Sequence, residues 1–268
     1  MNRAKAAVNF VNKKKEMMEV KNMNVQRKMA LVAGISLFAM AFLAAFAYGY
    51  AFTTIYVAGN PAATLINLNQ STLLFRFVIY SFTIILILDV VIGWALYYYF
   101  RTVDEPIAML CSWLRLIGAA FLGVALLNLS SVLQLLNNYP QNELFIMNGL
   151  NTFLDIWSLG LLVFSCHLFL VGYLMLRTVL IPKILGLMAL FAAFCYLITN
   201  SAHLFISDYE AYKATVDMVL SLPMALGELA LAIWLVSRGG KETKNLSSLQ
   251  QSFSDSAKGF GADSNVAG

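Results

Sequence analysis

Four ionisable side chains interrupt the long apolar runs of this sequence, namely Asp89, Arg115, His167 and Glu228. A charged group at the centre of a bilayer costs at least about 2.5–3.5 kcal/mol, so such residues usually pair with one another or serve a function. Two acids, a guanidinium and an imidazole can together hold a proton, a cation or a small polar ligand. In that role the histidine would titrate near neutrality, and Arg115 would keep one acid ionised.

The depth of these residues can be estimated from the rise of an α-helix, about 1.5 Å per residue. Counted from the predicted cytoplasmic ends of four helices, all four side chains lie about 12–16 Å deep. We therefore predict one midplane cluster. The alternative is purely structural: Arg115 pairs with one acid, the other acid is protonated or hydrogen-bonded, and His167 bonds to a backbone carbonyl. The same count places four further residues about 31–36 Å deep, in an outer polar layer of Arg76, Asp155, His203 and Asp217.

The elements that must position these residues are membrane-spanning helices. The chain has 268 residues, of which 60% are hydrophobic and 12% charged, whereas soluble domains have about 45–50% and about 25%. About 20 apolar residues span a bilayer as a helix. The sequence predicts an all-α bundle of six spans, at 29–52, 73–100, 107–136, 152–178, 182–206 and 215–238. In the loop after the first span, Asn60 and Pro61 predict the start of a short surface helix.

The distribution of basic residues predicts the orientation. Eight of the eighteen lysines and arginines precede the first span. The loops at 53–72 and 137–151 contain none and the loop at 207–214 contains only Lys213, whereas Lys/Arg recur in the loops between these and in the tail. By the positive-inside rule both termini lie in the cytoplasm, and we expect a bacterial inner membrane. The net charge of +4 is then explained by membrane anchoring and favours anionic lipid headgroups, with no nucleic-acid partner.

The two ends of the chain differ in character from the bundle. Residues 1–28 form a basic cytoplasmic arm with helical apolar spacing, as in an interfacial helix, although Met17, Met18 and Met23 are alternative translation starts. Residues 239–268 are rich in Ser, Gly, Asp and Lys and should be disordered. Residues 29–238 form a single domain. Within it, pairs of small residues four apart, Ala45 with Gly49 and Ala119 with Gly123, predict close helix contacts.

Several kinds of chemistry have no sequence signature here. Cys111, Cys166 and Cys195 lie singly in three spans, which predicts buried, unreactive thiols and no metal or disulfide framework. His167 and His203 differ in depth by roughly 15 Å, which argues against a haem held by two histidines. Because motifs for nucleotide hydrolysis, serine hydrolases and zinc proteases are also missing, we expect no cofactor and favour a protein that is not an enzyme.

Six stretches in order resemble an uncharacterised bacterial membrane-protein family, domain of unknown function 4386. They are RKMALVAGISLF (27–38), LLFR (73–76), ILDVVIGWALYYYF (87–100), WLRLIGAAFLGVALLNL (113–129), HLFLVGYLMLRTVLIPKILG (167–186) and GELALAIWLVSRG (227–239). Members often carry Asp where this chain has Asn200. The resemblance implies the fold, the membrane location and a start at Met23, and transfers no mechanism.

The leading functional hypothesis is a transporter or sensor that responds to protons or a small ligand through the midplane cluster. Two alternatives stay open. One is a non-catalytic assembly or accessory subunit that holds a membrane-protein partner, and the other, ranked last, is a lipid-modifying enzyme using His167 and an acid.

Overall fold

The computed structural model describes residues 25–138, 142–206 and 209–241. These residues form helices and connecting turns, with no strand among them. The predicted arm up to residue 24 and the tail from residue 242 lie outside the described residues. The helices are α1 Val25–Ile55, α2 Pro61–Gln70, α3 Thr72–Phe100, α4 Glu105–Asn138, α5 Glu143–Arg177, α6 Lys183–Phe205 and α7 Glu210–Ser237.

Six of these helices, all except α2, are long and apolar enough to cross a membrane. This confirms the predicted all-α architecture of a multi-pass membrane protein. Each spanning helix packs on the next in the chain from α3 to α7, and α1 packs on α3. We call the end where α1 begins and α7 finishes the termini end, and the opposite end the α2 end.

The first and last helices meet at the termini end, so the six helices form a ring. A Cβ atom on Gly34 of α1 would lie 2.6 Å from Cγ2 of Val236 on α7, and one on Gly239 would lie 2.8 Å from Cβ of Ala30. Arg27 was predicted to belong to the basic arm. Its side chain donates hydrogen bonds of 2.7–3.1 Å to the backbone carbonyls of Leu235, Val236 and Gly239. Its side chain therefore joins two helices.

The short helix α2 forms as predicted. Asn60 lies at its N-cap, where its side-chain oxygen accepts a hydrogen bond of 3.0 Å from the backbone N–H of Ala63. Pro61 occupies the first helical position, where a missing N–H costs nothing. The hydroxyl of Thr64 lies 3.0 Å from the backbone nitrogen of Val57, which ties α2 to the end of α1.

Helix α1 changes its winding halfway. Residues Ala45–Phe52 are a π-helix, a form that occurs frequently at functional sites. The predicted close contact at Gly49 is wrong, because a Cβ atom there would have nothing within 4 Å. Glycines make closer contacts elsewhere: a Cβ on Gly172 of α5 would lie 3.0 Å from the carbonyl oxygen of Gly186 on α6.

Candidate functional site

The centre of the site is a buried ion pair between two neighbouring helices. Nη2 of Arg115 on α4 lies 2.7 Å from Oδ1 of Asp89 on α3, with side-chain exposures of 2% and 15%. One turn towards the termini end, the hydroxyl of Ser112 donates a 2.9 Å hydrogen bond to the carbonyl of Gly93. A Cβ atom on Gly93 would lie at ordinary contact distances of 3.5–3.7 Å from Ser112 and Arg115, so α3 and α4 are packed together beside the ion pair.

His167 on α5 lies behind the guanidinium and is 1% exposed. Its Nε2 is 3.1 Å from Nη1 of Arg115, and its Nδ1 is 2.8 Å from the carbonyl oxygen of Cys111. Arginine only donates hydrogen bonds, so Nε2 must accept from it and the proton must be on Nδ1. In this geometry His167 is a neutral acceptor that orients Arg115, rather than a cation.

The remaining surroundings of the guanidinium are apolar. Its Nη2 lies 3.5 Å from the sulfur of Met40 on α1, and its Cζ lies 5.1 Å from the ring centre of Phe164. Among the described residues, no hydrogen-bond partner reaches its buried Nε. Arg115 thus contacts α1, α3 and α5 from its place on α4.

The second acid is held separately from this pair. The hydroxyl of Tyr196 on α6 donates a 2.8 Å hydrogen bond to Oε1 of Glu228 on α7. Within the described ranges, no lysine, arginine or histidine nitrogen lies within 4.0 Å of the carboxyl group of Glu228. Pro223, five residues earlier, lies inside the same helix, where its ring and missing N–H disturb one turn of the backbone.

A cavity of about 420 Å³ connects these groups, and all six spanning helices contribute to its wall. Asp89, Arg115 and Glu228 line it, whereas His167 does not. Most of the wall is aromatic or aliphatic, with Tyr48, Phe82, Ile85, Leu122, Leu154, Trp157, Leu161 and Phe164 among the lining residues. Its volume lies within the usual range of small-molecule sites, about 300–1,000 Å³.

The predicted outer polar layer is only partly assembled. Nε2 of His203 lies 3.1 Å from Oδ1 of Asp155, and His203 also lines the cavity. Arg76 is exposed on α3. Asp217 lies within α7, and its side chain is outside the described residues. The structure therefore joins two of these four residues.

Every contact of the structural alternative is present in the cluster. Arg115 pairs with one acid, the other acid accepts a hydrogen bond, and His167 bonds to a backbone carbonyl. The cavity is the feature that this alternative does not require. It lies beside two acids that are bound to different partners, and it provides room for a further molecule.

Sequence reasoning missed Tyr196, Phe164 and Met40 as parts of the site. Tyr196 carried a usable signal, because tyrosines of membrane proteins concentrate at the ends of spans and this one lies well inside α6. Cysteines are also placed differently from expectation: Cys111 and Cys195 are buried, but Cys166 is exposed. The described part of the chain holds no group of three metal-ligating side chains.

The sulfur of Cys111 lies 3.2 Å from Nδ1 of His167, but this nitrogen carries the proton that is donated to the Cys111 carbonyl, so it is not a base for the thiol. Both residues are buried, and neither lines the cavity. A molecule in the cavity would therefore not reach the thiol without a rearrangement of Arg115.

One comparison with known proteins shows the family of this chain, and none of them names an activity. The family described as Domain of unknown function (DUF4386) matches residues 32–239. An uncharacterized protein of Archaeoglobus fulgidus is 30% identical over 158 residues, which are 59% of this chain and 81% of that protein. No solved structure matches this chain.

Proposed function

The chain belongs to the family described as Domain of unknown function (DUF4386), and we propose that it binds a small ligand inside the membrane as a transporter or sensor. The observation that carries the proposal is the cavity beside Asp89, Arg115 and Glu228. Packing alone would fill such a space, because protein interiors are close-packed with few voids larger than a water molecule. Keeping ionisable groups beside an open space at midplane depth is typical of ligand and ion pathways.

Each residue of the cluster then has a distinct role. Asp89 fixes the position of Arg115 through the 2.7 Å ion pair, and His167 fixes its other nitrogen from outside the cavity. Glu228 is the acid free to interact with a ligand or a proton, because a neutral hydroxyl is its partner. In this proposal His167 is a positioning residue, in place of the titrating role expected from the sequence.

The orientation is part of the proposal. Among the described residues, the termini end carries Arg27, Lys28, Arg101, Arg177, Lys183, Arg238 and Lys241, whereas the α2 end carries Arg76 and Lys213. Under the positive-inside rule this asymmetry favours a cytoplasmic membrane with the termini end in the cytoplasm. Green fluorescent protein fused to the C-terminus should then fluoresce, and alkaline phosphatase fused there should be inactive. The reverse pattern would contradict the orientation.

The binding proposal is tested by blocking the cavity. Ala225 on α7 is exposed and lines the cavity, so Ala225→Trp should fill part of it. Ala120 on α4 is exposed on a surface away from the cavity, and Ala120→Trp is the matched control. Wild type and Ala120→Trp, purified in mild detergent, should retain a small molecule that Ala225→Trp has lost, as measured by native mass spectrometry.

Equal retention by both variants, or none by the wild type, would contradict ligand binding and shift the search to a protein partner. Transport and sensing differ in the next measurement. A transporter moves the retained molecule into proteoliposomes, and Glu228→Gln should abolish that flux. A sensor binds the molecule without flux.

A further inference from the structure

The charge around the cavity is unbalanced. Arg115 is one positive charge, and its two terminal nitrogens are already occupied by Asp89 and His167. Glu228 contributes a second carboxyl group, whose described hydrogen bond comes from a neutral tyrosine. An ionised Glu228 therefore leaves one negative charge at the cavity without a partner in the described structure.

An anionic ligand would fit poorly at this position. Nη1 and Nη2 of Arg115 already contact His167 and Asp89, and Nε, the nitrogen without a partner in the described ranges, is buried. An anion would also face the carboxyl groups of Asp89 and Glu228, which repel it. Unpaired like charges in a site of low polarity are a strong barrier to the wrong ligand.

The wall beside the acids suits an organic cation. The rings of Tyr48 and Trp157 meet at 4.8 Å, and those of Phe164 and Tyr196 meet at 5.4 Å, both with edges against faces. Aromatic faces attract ammonium and similar cations. Phe164 already shows this interaction, since the guanidinium of Arg115 lies 5.1 Å from its centre.

The side of the cavity between α1 and α7 opens towards the bilayer. The two helices are in contact at Gly34 and Val236. Towards the α2 end, Ala45 and Gly49 lie on α1, and Ser221 and Ala225 lie on α7. These last four residues are all exposed and all line the cavity. The helices therefore separate towards the α2 end and leave a gap bordered by small side chains, through which an apolar molecule can pass from the lipid.

We infer that the cavity binds a monovalent organic cation with a large apolar part, whose charge is neutralised by Glu228. This inference rests on the proposed ligand-binding function and names the ligand class for the same site. The aromatic wall would cover the apolar part, and the gap between α1 and α7 would admit it from the bilayer.

Tetraphenylphosphonium and tetraphenylborate are suitable probes, because they share size and shape and carry opposite charge. Equilibrium dialysis against the full-length protein in nanodiscs, with empty nanodiscs subtracted, gives the affinity of each. We expect the cation to bind at least ten-fold more tightly than the anion. Glu228→Gln should reduce the affinity for the cation at least ten-fold, whereas Glu105→Gln, which removes an exposed acid at the start of α4 that does not line the cavity, should leave it unchanged.

Two results would overturn the inference. Tighter or equal binding of tetraphenylborate would refute the cation preference and leave ligand binding itself intact. Absence of binding by either probe would refute this ligand class, while the retained-molecule experiment with Ala225→Trp decides ligand binding separately. If Glu228→Gln does not fold, the ratio of the two probes on the wild type and the loss of cation binding in Ala225→Trp still decide the question.

Discussion

Two arginines of this protein differ in how their donors are used. Arg27 at the termini end donates to the carbonyls of Leu235, Val236 and Gly239, which are the groups that a helix end leaves without partners. Arg115 inside the bundle pairs with one carboxylate and one imidazole, and no described residue bonds to its Nε. Any firmly held cation could satisfy the carbonyls around Arg27. The site of Arg115 instead requires a side chain that contacts both Asp89 and His167.

This difference indicates that Arg27 has a structural role only. Backbone carbonyls at a helix C-terminus are present in every helical protein, and a cation near them is stabilising by about 0.3–1 kcal/mol or more when partly buried. A buried ion pair is weak evidence for stability, because an apolar pair of similar volume is often as stable. Arg115 and Asp89 are therefore the better candidates for residues retained for function.

The largest effect is expected for Arg115→Gln, which leaves Asp89 buried without its countercharge. Breaking such a pair costs about 3–5 kcal/mol, measured as the free energy of unfolding in nanodiscs. The double variant Asp89→Asn/Arg115→Gln should recover most of that loss, because no buried charge is left alone. A double variant that is no more stable than Arg115→Gln would show that the guanidinium acts through its other contacts.

A smaller effect is expected for Arg27→Gln. Three hydrogen bonds, two to carbonyls of α7 and one to the carbonyl of Gly239, are lost, with an expected cost of about 1–3 kcal/mol. Lys28→Gln is the matched control, since Lys28 is the exposed neighbour and should change stability by less than about 0.5 kcal/mol. If the two variants were equally stable, the hydrogen bonds of Arg27 would not contribute to the free energy of unfolding.

The contact and the gap between α1 and α7 predict opposite signs for two glycine substitutions. Gly34→Ala would place a methyl group 2.6 Å from Val236, and overpacking of this kind costs about 1–3 kcal/mol. Gly49→Ala meets nothing within 4 Å and should be neutral or stabilising by up to about 1 kcal/mol, because alanine favours helix. Thermal unfolding of both variants measures this. Destabilisation by Gly49→Ala would contradict the separation of the helices.

The smallest effect is expected for a third arginine, Arg177. It pairs with Asp104 at 2.8 Å, but its side chain is 51% exposed. Exposed pairs contribute about 0–1 kcal/mol and are screened by salt. Arg177→Gln should therefore lower stability by less than about 1 kcal/mol, and the difference should vanish in 1 M NaCl. If Arg177→Gln lost as much stability as Arg27→Gln, exposure of the side chain would not explain the difference expected between these two arginines.

The level of each ionisable residue along its helix could be predicted from the sequence. The side of the helix from which its side chain projects could not. Asp89, Arg115 and His167 share a depth because the rise per residue is fixed, and the three are in contact. Glu228 has a similar calculated depth, yet it binds Tyr196. Which side chains face one another depends on the order and rotation of the packed helices, which the sequence pattern does not specify.

The same limit explains the features of α1 that were missed. Ala45 and Gly49 fit a pattern of small residues that is common at helix contacts, but both lie in the π-helix and line the cavity instead. By contrast, Asn60 and Pro61 predicted the start of α2 correctly, because an N-cap depends on local residues alone.

The contact of Arg27 with the end of α7 also has a consequence for biosynthesis. The residues it joins are 208, 209 and 212 positions apart, so nearly the whole bundle must be made before this contact can form. At about 5–20 residues per second, α1 waits about 10–40 s in the membrane before its partner is synthesised. The ring of helices can therefore close only after α7 has been synthesised.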